Sequence, residues 1–154
     1  MKYEIEKNAY FVLRKIVLGD MARDKELKSN VTNERWFENM NNREVGGCYE
    51  RIAAGYLEKQ GLTILEYNFR CKVGEIDLIA QDKNYIVFVE VKYRRDREQG
   101  WAAEAVGVRK QRKIMKVAQV YLLKKFHTVE LPCRFDVVSI DGDEISWYKD
   151  AFWG

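Results

Sequence analysis

Three neighbouring segments with strand character restrict the fold of this chain more than any other feature. Residues 63–70 alternate with a period of two, and residues 75–80 and 85–93 have the pattern of two further strands. Val73-Gly74 and residues 81–84 supply turn residues between them. Because connections this short join antiparallel neighbours, the pattern predicts an antiparallel meander.

Two helical segments and two more strands surround this meander. Residues 44–59 carry apolar side chains on one helical face, and residues 103–126 form a longer amphipathic segment. Residues 134–140 and 145–148 then flank a short turn. The predicted order is helix, three strands, helix and two strands, which is typical of an α/β domain.

The first 40 residues differ in character from the rest of the chain. Residues 3–18 place apolar side chains at helical spacing, and residues 1–40 hold 8 basic and 7 acidic residues, which is close to balance. We therefore predict a helical N-terminal extension, residues 1–40, and a domain, residues 41–154. The apolar side of the extension must be covered by the domain or by a second copy of the chain, so a homodimer is one expected assembly.

Composition excludes several classes of protein. Hydrophobic residues make up 47% of the 154 residues, enough for one core, and the net charge of +3 is far from that of a polybasic protein. One histidine, His127, leaves almost no material for a Ser-His-Asp triad, and three widely spaced cysteines do not suggest a structural zinc site. No apolar stretch approaches the ~20 residues that cross a bilayer, and no signal peptide is visible, so we expect a cytoplasmic protein without membrane contact.

Four charged residues interrupt strands that otherwise have a buried pattern. Glu75 and Asp77 are two residues apart and point to the same face of one strand, and Glu90 and Lys92 do so in another. Ionised groups inside apolar strands are costly unless they are paired or coordinate a cation. The alternative interpretation is a set of cross-strand salt bridges on a solvated face.

A hairpin between these two strands brings Asp77, Glu90 and Lys92 near one another. Carboxylates are hard ligands suited to Mg²⁺ or Mn²⁺, and a lysine beside them can orient water and offset charge in a transition state. Glu50 lies at the edge of the inward face of the helix over residues 44–59, from which it can reach the same place. We predict metal ligation by Asp77, Glu90 and Glu50, and catalytic roles for these three residues and Lys92.

A basic region follows the third strand. Residues 92–116 hold 9 lysines and arginines against 3 acidic residues, and the later ones recur at helical spacing. Such a stripe binds phosphate backbones, although an ordinary solvated helix face is the alternative. The predicted nucleic-acid contacts are Arg94, Arg95, Arg109, Lys110, Arg112, Lys113 and Lys116.

Several of these segments together resemble the YraN family of predicted nucleases. They are Glu50, residues 74–80 (GEIDLIA), residues 88–92 (FVEVK), Lys110-Gln111 and residues 134–138. The family lies within the PD-(D/E)xK restriction-endonuclease-like superfamily and is similar in pattern to archaeal Holliday-junction resolvases. Ile76 stands where the superfamily name places proline, as is usual in YraN-like sequences, and the first 40 residues lie outside the family pattern.

The resemblance implies a fold, a site and an activity. The implied fold is a restriction-endonuclease-like mixed β-sheet flanked by helices. Asp77, Glu90 and Lys92 would be the catalytic core and Glu50 the acidic residue from the helix. Glu75 and Gln111 would be accessory residues.

Two classes of function follow from these observations. The first is a metal-dependent endonuclease that acts in repair or recombination on branched or flapped DNA or on single-stranded regions, since no recognition helix or zinc finger is evident. The second is a non-catalytic nucleic-acid-binding or protein-interaction module on a nuclease fold. The joint presence of Glu50, Asp77, Glu90 and Lys92 favours the enzyme, because a vestigial site has no need of all four.

Overall fold

The computed structural model describes residues 41–94, 106–141 and 144–152. The extension predicted for residues 1–40 lies outside the described residues, so the boundary near residue 40 stays a prediction. Of the predicted nucleic-acid contacts, Arg95 also lies outside the described residues, and only the backbone of Arg94 is described.

The order of helices and strands agrees with the prediction. The elements are α1 (Asn42–Lys59), β1 (Thr63–Cys71), β2 (Gly74–Asp82), β3 (Tyr85–Arg94), α2 (Val108–Phe126), β4 (Cys133–Asp141) and β5 (Glu144–Phe152). α2 begins later than expected, at Val108 rather than near residue 103, because Gly107 caps it with a non-helical backbone and Val106 lies in a bend. β5 was expected only over residues 145–148 and is longer.

The five strands form one mixed sheet in the order β1-β2-β3-β4-β5. The first three are the predicted antiparallel meander, and β5 is antiparallel to β4. β3 and β4 are parallel, so α2 is the crossover that connects them. This mixed sheet with its two helices confirms the predicted α/β class.

Each face of the sheet has its own core and its own helix. Val87 and Val89 of β3 are fully buried beside Leu57 of α1. Phe88 lies between them in sequence and is buried on the opposite face, beside Val117 of α2. Neither helix in the described ranges is long and apolar enough to cross a membrane.

The topology brings the first turn of α2 to the end of β3. A helix that connects two parallel strands must begin near the carboxyl end of the first strand and return to the amino end of the second. The beginning of α2 at Val108 therefore lies close to the last residues of β3. This is why basic residues of α2 can reach charged residues of β3.

Candidate active site

β2 and β3 separate where both strands carry acidic residues. Their backbone ladder ends with Leu78 opposite Val89. Beyond this pair, the backbone N–H of Val91 donates to Oδ2 of Asp77 at 2.8 Å. The carboxylate of Asp77 thus takes the place of a backbone acceptor and lies between the two strands.

Glu90 is a buried carboxylate, and only one of its two oxygens contacts a described residue. Like Phe88, two residues earlier, Glu90 lies on the side of β3 that faces α2, and 4% of its side chain is exposed. Its Oε1 lies 2.9 Å from Nζ of Lys92 and 2.6 Å from Nζ of Lys110. Its Oε2 is buried and has no hydrogen-bond partner among the described residues. A buried oxygen without a partner is costly, so this atom marks a place for a further ligand.

Burial and the neighbouring charge of Glu90 make the ionisation of Asp77 unfavourable. Burial, and next the negative charge of Glu90, raise the pKa of Asp77 from its ordinary value of 3.8 to about 7. The N–H of Val91 and the ammonium of Lys110 lower the pKa, and Glu50 adds a smaller increase. Two carboxylates so closely coupled resist being ionised together, so a further cation would stabilise the pair.

Glu50 approaches the same region from α1. The start of this helix is fixed by a capping box, in which Asn41 and Glu44 exchange side-chain to backbone hydrogen bonds. The amide of Asn68 on β1 donates to Oε2 of Glu50 at 2.5 Å. Burial raises the pKa of Glu50, the Asn68 hydrogen bond opposes this, and Glu75 and Glu90 add to the increase.

An open cavity of about 520 Å³ connects the three predicted acidic residues. Its lining comprises Val45, Gly46, Tyr49, Glu50, Asp77, Glu90, Val91 and Tyr93. The rings of Tyr49 and Tyr93 stack with centroids 3.7 Å apart and form an aromatic part of the lining. The structure therefore brings Glu50, Asp77 and Glu90 to one cavity, with Lys92 attached through Glu90.

The two strand carboxylates fit a hard divalent cation. Asp77 and Glu90 offer oxygen ligands, and Oε2 of Glu90 has no other described partner. Within the described residues, no three Asp, Glu, His or Cys side chains lie close enough together to bind one metal ion. Glu50 instead accepts a hydrogen bond from Asn68. The protein would therefore supply two ligands, and water and substrate would complete the coordination, as Mg²⁺ commonly accepts.

The two predicted accessory residues make local contacts. Oε2 of Glu75 pairs with Nε of Arg70 at 3.0 Å, and about half of each side chain is exposed. The side-chain amide of Gln111 donates to the carbonyl of Val106 at 2.7 Å. Because the cap Gly107 has no side chain, this bond helps to fix the chain entering α2.

The predicted basic residues of α2 divide into two groups. Lys110 contacts Glu90 and so belongs to the acidic site. The remaining α2 residues of the predicted set are exposed: Arg109, Arg112, Lys113 and Lys116.

Two residues of this site, Asn68 and Lys110, were not predicted to belong to it. Asn68 lies beside Asp77 in the observed β1–β2 register, which pairs Phe69 with Ile76 and Tyr67 with Leu78. That register depends on a turn that begins one residue earlier than predicted, after Cys71. Lys110 was predicted only as a nucleic-acid contact. Its ion pair with Glu90 depends on where α2 starts, and the helical spacing did not define that start.

The fold and the site define a recognisable class. A mixed α/β sheet between two helices, with acidic residues where two central strands separate, is consistent with a restriction-endonuclease-like fold. The profile of UPF0102, described as an uncharacterised protein family, matches residues 49–140 and so includes Glu50, Asp77, Glu90 and Lys92.

Curated relatives carry the same family name. A UPF0102 protein of Lachnoclostridium phytofermentans is 47% identical over 113 residues, which are 73% of this chain and 96% of the relative. One from Janthinobacterium sp. is 48% identical over 106 residues, 69% of this chain and 85% of the relative. One from Clostridium botulinum strain Loch Maree is 50% identical over 99 residues, 64% and 80%. The chain belongs to the UPF0102 (YraN) family, as the sequence resemblance indicated.

Proposed function

We propose that this protein is a Mg²⁺- or Mn²⁺-dependent endonuclease that hydrolyses phosphodiester bonds in DNA. The observation that carries the proposal is the buried Oε2 of Glu90, which has no partner among the described residues. Glu90 lines the same cavity as Asp77 and Glu50. Two neighbouring carboxylates that can hold a cation, with a lysine beside them, are a set of groups that can catalyse phosphodiester hydrolysis.

The residues of the site would divide the chemistry between them. Asp77 and Glu90 would hold the cation, which would supply Lewis-acid activation of the phosphate and of the attacking water. Lys92 keeps its ammonium 2.9 Å from Glu90 while 28% of its side chain remains exposed. From there it can donate a hydrogen bond to water and stabilise negative charge that develops on the phosphate.

The exposed side of α2 supports DNA as the substrate. Arg109, Arg112 and Lys113 lie in the same helix turns as Lys110, which contacts the acidic site. Contacts to phosphates position DNA but carry no sequence information. We therefore propose selection by DNA structure, with branched, flapped or single-stranded regions as substrates, and a cytoplasmic role in repair or recombination.

A second candidate function is a non-catalytic nucleic-acid-binding or protein-interaction module. It is favoured by the contacts that the acidic groups already make. Glu90 is neutralised by Lys92 and Lys110, and Glu50 is held by Asn68. A module of this kind would bind DNA with the same basic residues and would leave it intact.

Cleavage assays with matched variants separate the two candidates. Purified protein would be incubated with supercoiled, single-stranded and four-way-junction DNA in Mn²⁺ or in EDTA. We expect cleavage only with Mn²⁺, and its loss in Asp77→Asn and in Glu90→Gln. Glu66→Gln is the control, because Glu66 pairs with Lys125 on another part of the surface. Binding of DNA without cleavage on every substrate would favour the module.

Calorimetry tests the metal site independently of the substrate. Wild-type protein should bind Mn²⁺, and the double variant Asp77→Ala/Glu90→Ala should not, because both proposed ligands are removed. Undiminished binding in the double variant would contradict the assignment of these residues.

A further inference from the structure

Two ammonium groups share one carboxylate oxygen at the centre of this site. Lys92 and Lys110 both contact Oε1 of Glu90, at 2.9 and 2.6 Å. Oε2 of the same carboxylate is buried without a described partner. The positive charge around Glu90 is therefore concentrated on one oxygen, while the other is left for a ligand.

The two lysines differ in how firmly they are placed. Lys92 belongs to the same strand as Glu90 and is 28% exposed, whereas Lys110 reaches the site from α2 and is 44% exposed. Burial lowers the pKa of Lys110, but the contact with Glu90 and the charges of Asp77 and Glu75 raise it above its ordinary value. Lys110 is therefore a charged group on a flexible, half-exposed stem that can turn into solvent.

We propose that Lys110 is an exchangeable counter-ion of Glu90, which neutralises the acidic site without metal and leaves the carboxylate when a divalent cation binds. This inference rests on the proposed function, because it requires a cation at Asp77 and Glu90. A divalent cation on Glu90 would repel an ammonium that lies 2.6 Å from the same carboxylate. Lys92 is the less exposed of the two lysines, at 28% against 44%, so its ammonium is the one we expect to stay beside Glu90.

Competition of this kind lowers the apparent affinity for metal. The cation can use Glu90 fully only in the fraction of molecules from which Lys110 has moved away. A charge-assisted hydrogen bond in a half-exposed position would keep that fraction at roughly one tenth. Removing the ammonium should therefore strengthen metal binding about tenfold.

Titration of the metal alone, without DNA, tests the exchange. Calorimetry with Mn²⁺ would compare wild type, Lys110→Met and Lys110→Arg at pH 8.0, above the pKa of Asp77. Lys110→Met keeps the aliphatic stem and should bind Mn²⁺ about tenfold more tightly. Lys110→Arg keeps the positive charge and should bind as wild type does. Lys113→Met is the matched control, because Lys113 is an exposed lysine of the same helix.

The thermal stability of the same proteins gives a second readout. Without metal, Lys110→Met should melt at a lower temperature than wild type, because Glu90 has lost a counter-ion. Saturating Mn²⁺ should then raise its melting temperature by more than it raises that of wild type.

The outcomes separate this inference from the proposed function. Equal or weaker Mn²⁺ binding in Lys110→Met, with binding intact in wild type, would overturn the exchange and leave the metal site standing. Equal tightening in Lys113→Met would also overturn it, since general surface charge would then be the cause. Absence of Mn²⁺ binding in every variant, including wild type, would overturn both.

Discussion

The stability of the metal-free protein should depend on pH through Asp77. Its pKa is about 7 in the folded protein against an ordinary value of 3.8. Between these pH values the folded protein retains a proton that the unfolded chain has lost. The free energy of unfolding should therefore decrease as the pH rises from about 4 to about 7 and become level above that range.

The expected magnitude follows from the size of the shift. One pKa unit corresponds to about 1.4 kcal/mol, so the whole shift has an upper limit of about 4 kcal/mol. Only the part between pH 5 and pH 7 is sampled when pH 5 is compared with pH 8, which leaves about 2 to 3 kcal/mol. Asp77→Asn is neutral at every pH and keeps an oxygen that can accept the Val91 N–H, so it should lack this decrease.

Urea unfolding in EDTA at pH 5 and pH 8 provides the measurement. Relative to wild type, Asp77→Asn should gain about 2 to 3 kcal/mol between the two pH values. Glu75→Gln is the control, because it removes an acidic group from the same strand at an exposed position. Its stability should differ from that of wild type between the two pH values by much less than that of Asp77→Asn, because about half of the Glu75 side chain is exposed. Parallel curves for wild type and Asp77→Asn would refute the conclusion that burial and Glu90 oppose the ionisation of Asp77.

Three further variants test other parts of the molecule. Lys92→Ala should abolish cleavage in single-turnover assays and leave DNA affinity nearly unchanged, because its ammonium serves the acidic site. Arg109→Ala with Lys113→Ala should weaken DNA binding and reduce the slope of log affinity against log salt by about 2; the same phenotype as Lys92→Ala would contradict this division. Asp136→Ala should cost about 3 to 5 kcal/mol in urea unfolding, because Arg134 and Trp147 lose a buried partner; a loss under about 1 kcal/mol would show that the network is dispensable.

Local sequence patterns were sufficient to predict most of the fold. Residues 63–93 predicted three strands because period-two alternation and short turns act over a few residues. The start of α2 was misplaced because the helical spacing in the sequence does not indicate that Gly107 is the cap of the helix. In the structure, Gly107 has a non-helical backbone and Val108 is the first helical residue.

The part of the candidate site that could be predicted from the sequence is the part formed by the β2–β3 hairpin. Antiparallel pairing of β2 and β3 is enough to bring Asp77 near Glu90, and period two is enough to place Lys92 with Glu90. The separation of the strands after Leu78 follows from side-chain contacts rather than from periodicity. The ion pair of Lys110 with Glu90 spans 20 residues of sequence and depends on the geometry of the crossover, which no local pattern specifies.

A second buried acidic residue of the same sheet shows why the Glu90 site indicates function. Asp136 on β4 is 0% exposed, and its two oxygens accept hydrogen bonds from Arg134, Trp147 and the backbone N–H of Asp150. Burial of this charge is fully compensated, so a structural role accounts for it.

Glu90 is buried to nearly the same degree, but its compensation is incomplete. Two lysines crowd one of its oxygens, the other oxygen lacks a described partner, and the neighbouring Asp77 has its pKa raised to about 7. Selection for stability alone favours the arrangement around Asp136, or an apolar residue in place of Glu90. A sheet that contains both arrangements therefore retains the unfavourable one for what it can bind, and a hard cation is the ligand that satisfies both the free oxygen and the coupled carboxylates.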